Sequence, residues 1–292
     1  MLLAILLHLP LAAATPAQPV DPALERIAVV GASASAGWGL RGEWGVSLSM
    51  EDFVEATLRE PAQRVLGLGD GFFFMDPVMK GPKQIEKAAA IEPTLVVALD
   101  FLFWFGYGEV PDDYRLRRLD EGLRELDTFE CPILVGDLPD MSPATKGTSP
   151  IGPLIFPAQI PAPEVLEQLN ERIHAWASER ERVVLVPLAA FVERTRTARR
   201  LELLGNVWEG DLGERFTQAD LLHPTIEGTT VMLLLAYEAA LRVHPDWAEH
   251  LVVATGEVEG RLREAHADAL ERAAKRAQRK AERAAAREAN HE

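Results

Sequence analysis

Five short apolar runs, separated by stretches of helical periodicity, constrain the fold of this chain more than any other feature. They occupy residues 27–30, 64–66, 95–99, 132–135 and 183–186. Each is nearly continuously apolar, as in Leu95-Val96-Val97-Ala98-Leu99. A strand with one wetted face alternates polar and apolar residues, so an unbroken run predicts a strand covered on both faces. Helical patterns at 43–59, 83–91, 112–128, 163–180, 188–203 and 227–243 fall between and after the runs. Strands joined through helices require right-handed crossovers, which gives an α/β fold with a mostly parallel sheet between two helical layers. Such sheets bind ligands beyond the carboxyl ends of their strands, so the residues after each run are where function is sought.

Composition narrows the classes of function. The formal charge of −15 disfavours nucleic acid, whose phosphates would be repelled. The single cysteine, Cys131, excludes an internal disulfide framework and a cysteine-rich zinc site, and reads as a small buried hydrophobe. Residues 1–14 are largely apolar and end in Ala12-Ala13-Ala14. That stretch is short of the roughly 20 residues that span a bilayer. It reads as a signal peptide, which implies a secreted or periplasmic protein without an integral membrane span, although no Lys or Arg precedes it. The other reading is a short buried helix or a leader. A Pro-punctuated linker, 15–25, then leads into a domain at 26–256. The tail, 257–292, is charged and helical in pattern, with 9 Lys and Arg against 8 Asp and Glu and no Leu or Ile seam. It is either a solvated helix or a helix that contacts a partner.

Two segments carry chemistry. After the first run comes Gly31-Ala32-Ser33-Ala34-Ser35-Ala36-Gly37, whose small residues permit a sharp turn and leave the Ser33 hydroxyl at the sheet edge. Serine is a weak nucleophile and needs an adjacent base. The loop has neither the Gly-Lys-Ser/Thr ending of a phosphate loop nor dinucleotide spacing, so no cofactor is expected. Nearly 190 residues later stands Asp220-Leu221-Leu222-His223-Pro224. Asp and His three apart on one turn can meet, so that the carboxylate orients the imidazole; equally, Asp220 can cap a helix beside a surface histidine.

Together these segments resemble the SGNH (GDSL-type) hydrolase family over residues 26–243. The resemblance implies a three-layer α/β/α sandwich, flavodoxin-like, around a five-stranded parallel sheet. It assigns Ser33 as nucleophile, His223 as base and Asp220 as its orienting acid. The family's second-block glycine falls at Gly69 or Gly71, either of which is a candidate oxyanion donor. Departures are clear: Ala32 stands where the family has Asp, and Asp100 falls at the place of an oxyanion asparagine. A carboxyl donates a hydrogen bond only when protonated, which burial beside Phe101, Phe103, Trp104 and Phe105 would favour.

The aromatic groups at 72–74 and 101–107 either wall a substrate groove or fill the core. Asp137 and Asp140 either line the groove or cap a turn, and with Asp70 and Asp100 they lack the spacing of a metal site. No metal is expected. The sequence therefore predicts a serine hydrolase acting on a neutral ester of a carbohydrate or lipid type, a small-molecule or glycan substrate. The alternative is a non-catalytic ligand-binding or scaffold protein whose oxyanion site Asp100 disables.

Overall fold

The computed structural model describes residues 21–289, so the expected signal peptide and most of the linker lie outside the described residues. The five runs form strands β1 (Arg26–Val29), β2 (Arg64–Gly67), β3 (Leu95–Ala98), β4 (Ile133–Gly136) and β5 (Val183–Val186). They pair in the order β2-β1-β3-β4-β5, all parallel. Helices follow as α1 (Arg41–Trp44), α2 (Met50–Thr57), α3 (Pro77–Ala89), α4 (Phe103–Gly106), α5 (Asp112–Leu126) and α6 (Pro163–Ser178). Beyond β5 come α7 (Leu188–Thr197), α8 (Leu212–Phe216), α9 (Ile226–Leu241), α10 (Thr255–Ala265) and α11 (Ala267–Ala289).

The unbroken apolar runs have a direct structural cause. Along β1 and β3, Ile27, Val29, Leu95 and Val97 pack into one core, under α2 and α9. Their neighbours Ala28, Val30, Val96 and Ala98 pack into the other, under α3 and α5. Both faces are dry, so every position must be apolar. The result is the expected α/β/α sandwich with a five-stranded parallel sheet. The order of strand addition reverses between β1 and β3, and the crevice above that switch point is the place where such sheets take ligands.

Two expectations are corrected. The helix read at 188–203 stops at Thr197, and the chain turns into an antiparallel hairpin, β6 (Arg200–Leu203) and β7 (Asn206–Glu209). Leu204 and Gly205 both have positive φ, the geometry of a tight two-residue hairpin turn. The tail from residue 257, expected as either a solvated helix or one that contacts a partner, is docked on its own domain at its start. Val258 and Leu262 on α10 are buried in the core beside α2, and the Arg263 guanidinium lies 4.1 Å from the Trp44 ring centroid. Two apolar residues four apart suffice to seat one helical turn, a signal too sparse to stand out in so charged a segment.

Candidate active site

The loop after β1 is built around a carboxylate. Asp100, beyond β3, accepts the backbone N–H groups of Ala32 at 3.0 Å, Ala34 at 2.9 Å and Ser35 at 3.2 Å, and also the Ser35 hydroxyl. A β-carbon at position 31 would lie 2.1 Å from Asp100 Oδ1, so glycine is required there. The Gln84 side-chain amide on α3 clasps Gly31 from the other side, accepting its N–H and donating to its carbonyl, each at 2.9 Å. Among the described residues, the Ser33 N–H donates to no protein group. The Asp100 oxygens serve the neighbouring amides and the Ser35 hydroxyl, which organises the loop, and the residue also lines the cavity beside Ser33.

The glycine candidates separate. A β-carbon on Gly69 would lie 2.5 Å from the backbone of Ser35 and of Ala36, so only glycine allows these two loops to meet. The Asp70 N–H beside it donates to the Gly31 carbonyl at 3.1 Å, while the Gly69 N–H has no acceptor among the described residues. Gly71 lies instead against the Trp38 ring, 3.1 Å from where a β-carbon would be.

The second segment comes from the turn before α9. Leu221 adopts a left-handed conformation, φ 56°, and this folds Asp220 back over the residues that follow it. One Asp220 oxygen accepts the N–H groups of Leu222 and His223, both at 2.9 Å, and the other meets His223 Nδ1 at 2.9 Å. His223 Nε2 lies 2.9 Å from Ser33 Oγ. Asp220 and His223 are buried. Burial pulls the Asp220 carboxyl upward, but the hydrogen bond and charge of His223 and the two backbone N–H groups outweigh it and hold the carboxyl below its ordinary value. The structure thus brings Ser33, His223 and Asp220 into one chain of hydrogen bonds. Gln218 braces it: its backbone N–H donates to the His223 carbonyl at 2.8 Å, and its side-chain amide donates to the carbonyls of Trp38 and Pro224.

Trp38 was not singled out in the sequence. Its ring stacks on the His223 imidazole, with centroids 5.8 Å apart and planes at 26°. Its position one residue beyond Gly37, inside the serine loop, is the only sequence signal that bears on it.

Beside Ser33 opens a cavity of about 220 Å³, walled by Phe103, Leu138, Leu188, Phe191, Phe216 and Met232. Asp137 lies in its wall, buried and held by the Ala189 N–H at 2.7 Å and His174 Nε2 at 3.0 Å. Asp140 caps the turn at Ser142 instead. Of the aromatics, Phe73, Phe101, Trp104, Phe105 and Tyr107 belong to the core, and Phe103 lines the cavity. Burial pushes the Cys131 thiol up to about 11, which keeps it protonated at neutral pH. Among the described residues, no group of three His, Cys, Asp or Glu is arranged to hold a metal ion, and no helix is long and apolar enough to cross a membrane.

No family sequence profile matches the chain, and no curated protein matches it. Solved structures do. The chain is similar to a GDSL-like lipase from Bacteroides thetaiotaomicron, with 17% identity, 77% of this chain and 91% of that one covered, and a TM-score of 0.44. It is similar to an acetyl-xylooligosaccharide esterase from Geobacillus Stearmophilus at 17% identity, covering 75% and 93%, with a TM-score of 0.45. A psychrotrophic esterase from Pseudoalteromonas sp. gives 12%, 75% and 97%, and 0.44. At such identities the likeness is one of fold.

Proposed function

We propose that this protein is a serine hydrolase that cleaves neutral esters carrying an apolar acyl group. The observation that carries the reading is the linked set Ser33 Oγ, His223 Nε2 and Nδ1, and Asp220, each contact 2.9 Å, assembled from opposite ends of the domain. Ser33 Oγ attacks the ester carbonyl while His223 Nε2 takes its proton, and Asp220 stabilises the imidazolium that forms. The carbonyl oxygen becomes an oxyanion, for which the free N–H groups of Ser33 and Gly69 are the donors in this reading. Collapse expels the alcohol, which recovers the proton from Nε2. Water then repeats the sequence on the acyl-serine and releases the acid. The acyl chain occupies the apolar cavity, and the acidic body disfavours anionic substrates.

A fluorophosphonate probe tests the assignment, since it forms a covalent adduct only with an activated serine. The chain is expected to label at Ser33, and Ser33→Ala to remain unlabelled. Folded protein that does not label, or a label elsewhere, overturns it.

A further inference from the structure

Four of the ten exposed large apolar side chains among the described residues fall within eight positions, in the loop after β2 and the first turn of α3. Phe72, Phe74, Met75 and Met79 are 55%, 43%, 69% and 56% exposed. Their exposure is built in. Phe73, buried between Phe101 and Phe105 with ring centroids 5.6 and 6.0 Å away, pins the turn and turns its neighbours outward. Asp76 then starts α3 by accepting the Met79 N–H at 3.1 Å.

This knuckle adjoins the site on two sides. Phe72 packs edge-on against Trp38, which stacks on His223. Phe74 meets Trp104 at 5.6 Å, and Trp104 meets Phe103, a wall of the acyl cavity, at 5.1 Å. Met79, Lys83 and Lys87 follow at four-residue spacing and share one helix face with Asp76 and Glu86, all of them exposed. Apolar tips with ammonium groups on the same face suit a lipid–water boundary, where rings and thioethers enter the acyl region and lysines reach the phosphates. A second copy of this chain fits poorly, because each whole chain carries a charge of −15.

We propose that Phe72, Phe74, Met75 and Met79, flanked by Lys83 and Lys87, form a docking surface for a zwitterionic phospholipid surface. Docking there sets the Ser33 crevice at the lipid boundary. The docking stands apart from the ester-hydrolase reading; only its use, delivery of acyl substrate, rests on that reading.

The test is co-sedimentation of the full chain with phosphatidylcholine vesicles, using Phe74→Ser/Met75→Ser/Met79→Ser, with Phe72 kept because it packs on Trp38. Wild type is expected to sediment in proportion to lipid, and the triple variant to bind at least about tenfold more weakly. Lys83→Gln/Lys87→Gln is expected to weaken binding several-fold. Turnover of a short soluble ester should match wild type in the triple variant, with melting temperature lowered only by the loss of the Phe74 contact with Trp104. Wild type that stays in the supernatant, a triple variant that binds equally well, or self-association of wild type that the triple variant abolishes overturns the proposal. Ser33→Ala should bind vesicles like wild type. A chain that binds vesicles yet cleaves no ester overturns the hydrolase reading and leaves the docking surface intact.

Discussion

The loop after β1 and the loop after β2 stand side by side and are built on opposite principles. In the first, the amides of Ala32, Ala34 and Ser35 are claimed by Asp100 and Gly31 by Gln84, which leaves the Ser33 N–H free. In the second, one buried ring, Phe73, anchors a turn that turns apolar side chains towards water. The contrast teaches where order is concentrated. Charge developing in a reaction needs donors that are already oriented, because reorienting them at that moment would cost much of their benefit. A surface that meets a deformable partner needs only apolar area and a firm base.

The sharpest way to break the comparison is to remove the hydroxyl that the first loop presents. Ser33→Ala should lower ester turnover by about 10⁴-fold or more with little change in melting temperature, measured on a soluble chromogenic ester. Asp220→Asn comes next. The amide keeps the shape but holds the imidazole in the wrong tautomer, so kcat should fall by about 10⁴-fold with KM little changed. The same substitution sharpens a stability argument. The folded Asp220 carboxyl is held below its unfolded value, so its contribution is fully present above roughly pH 4 and is lost as pH falls through the folded value. Between pH 5 and pH 2, urea denaturation of Asp220→Asn should therefore lose less stability than wild type.

Asp100→Ala asks whether the first loop is organised by its carboxylate. Unpaired amides cost about 1–3 kcal/mol each when buried, so the variant should lose about 3 kcal/mol, read by chemical denaturation. Turnover should fall by about 100-fold as Ser33 drifts from His223. Unchanged kinetics would mean that the carboxylate does not position the serine. The smallest effect belongs to the second loop. Lys80 bonds the Asp70 carboxylate at 2.6 Å, and that bond, with the Phe72 N–H, outweighs burial to hold the Asp70 carboxyl low. The pair is partly exposed, so Lys80→Ala should cost no more than about 1 kcal/mol.

Much of this was legible in the residues themselves. The five apolar runs became the five strands because two-sided burial leaves a pattern that no wetted strand has. Ser33, Asp220 and His223 stood out only jointly, through the resemblance of their two segments to the SGNH family, since each segment alone suits a tight turn or a helix cap equally well. The first strand of the hairpin falls at the end of the helix expected over 188–203, because Arg200-Leu201-Glu202-Leu203 suits either structure until the positive-φ turn at Leu204 and Gly205 is known. The docked α10 escaped notice because two apolar residues in a charged tail carry little weight without the surface that receives them.

What the sequence determined alone is the layered α/β architecture, because two-sided burial and the alternation of strands with helices are written along the chain. Tertiary structure decided the rest. It set Asp100, beyond β3 and 65 to 68 residues along the chain, to hold the amides of Ala32, Ala34 and Ser35, laid Trp38 on His223, brought Gly69 rather than Gly71 against the backbone of Ser35 and Ala36, and closed an apolar cavity beside Ser33. Each of these depends on which groups remain unpaired once distant loops meet. That quantity exists only in the folded chain, because every residue's partner is then fixed by all the others.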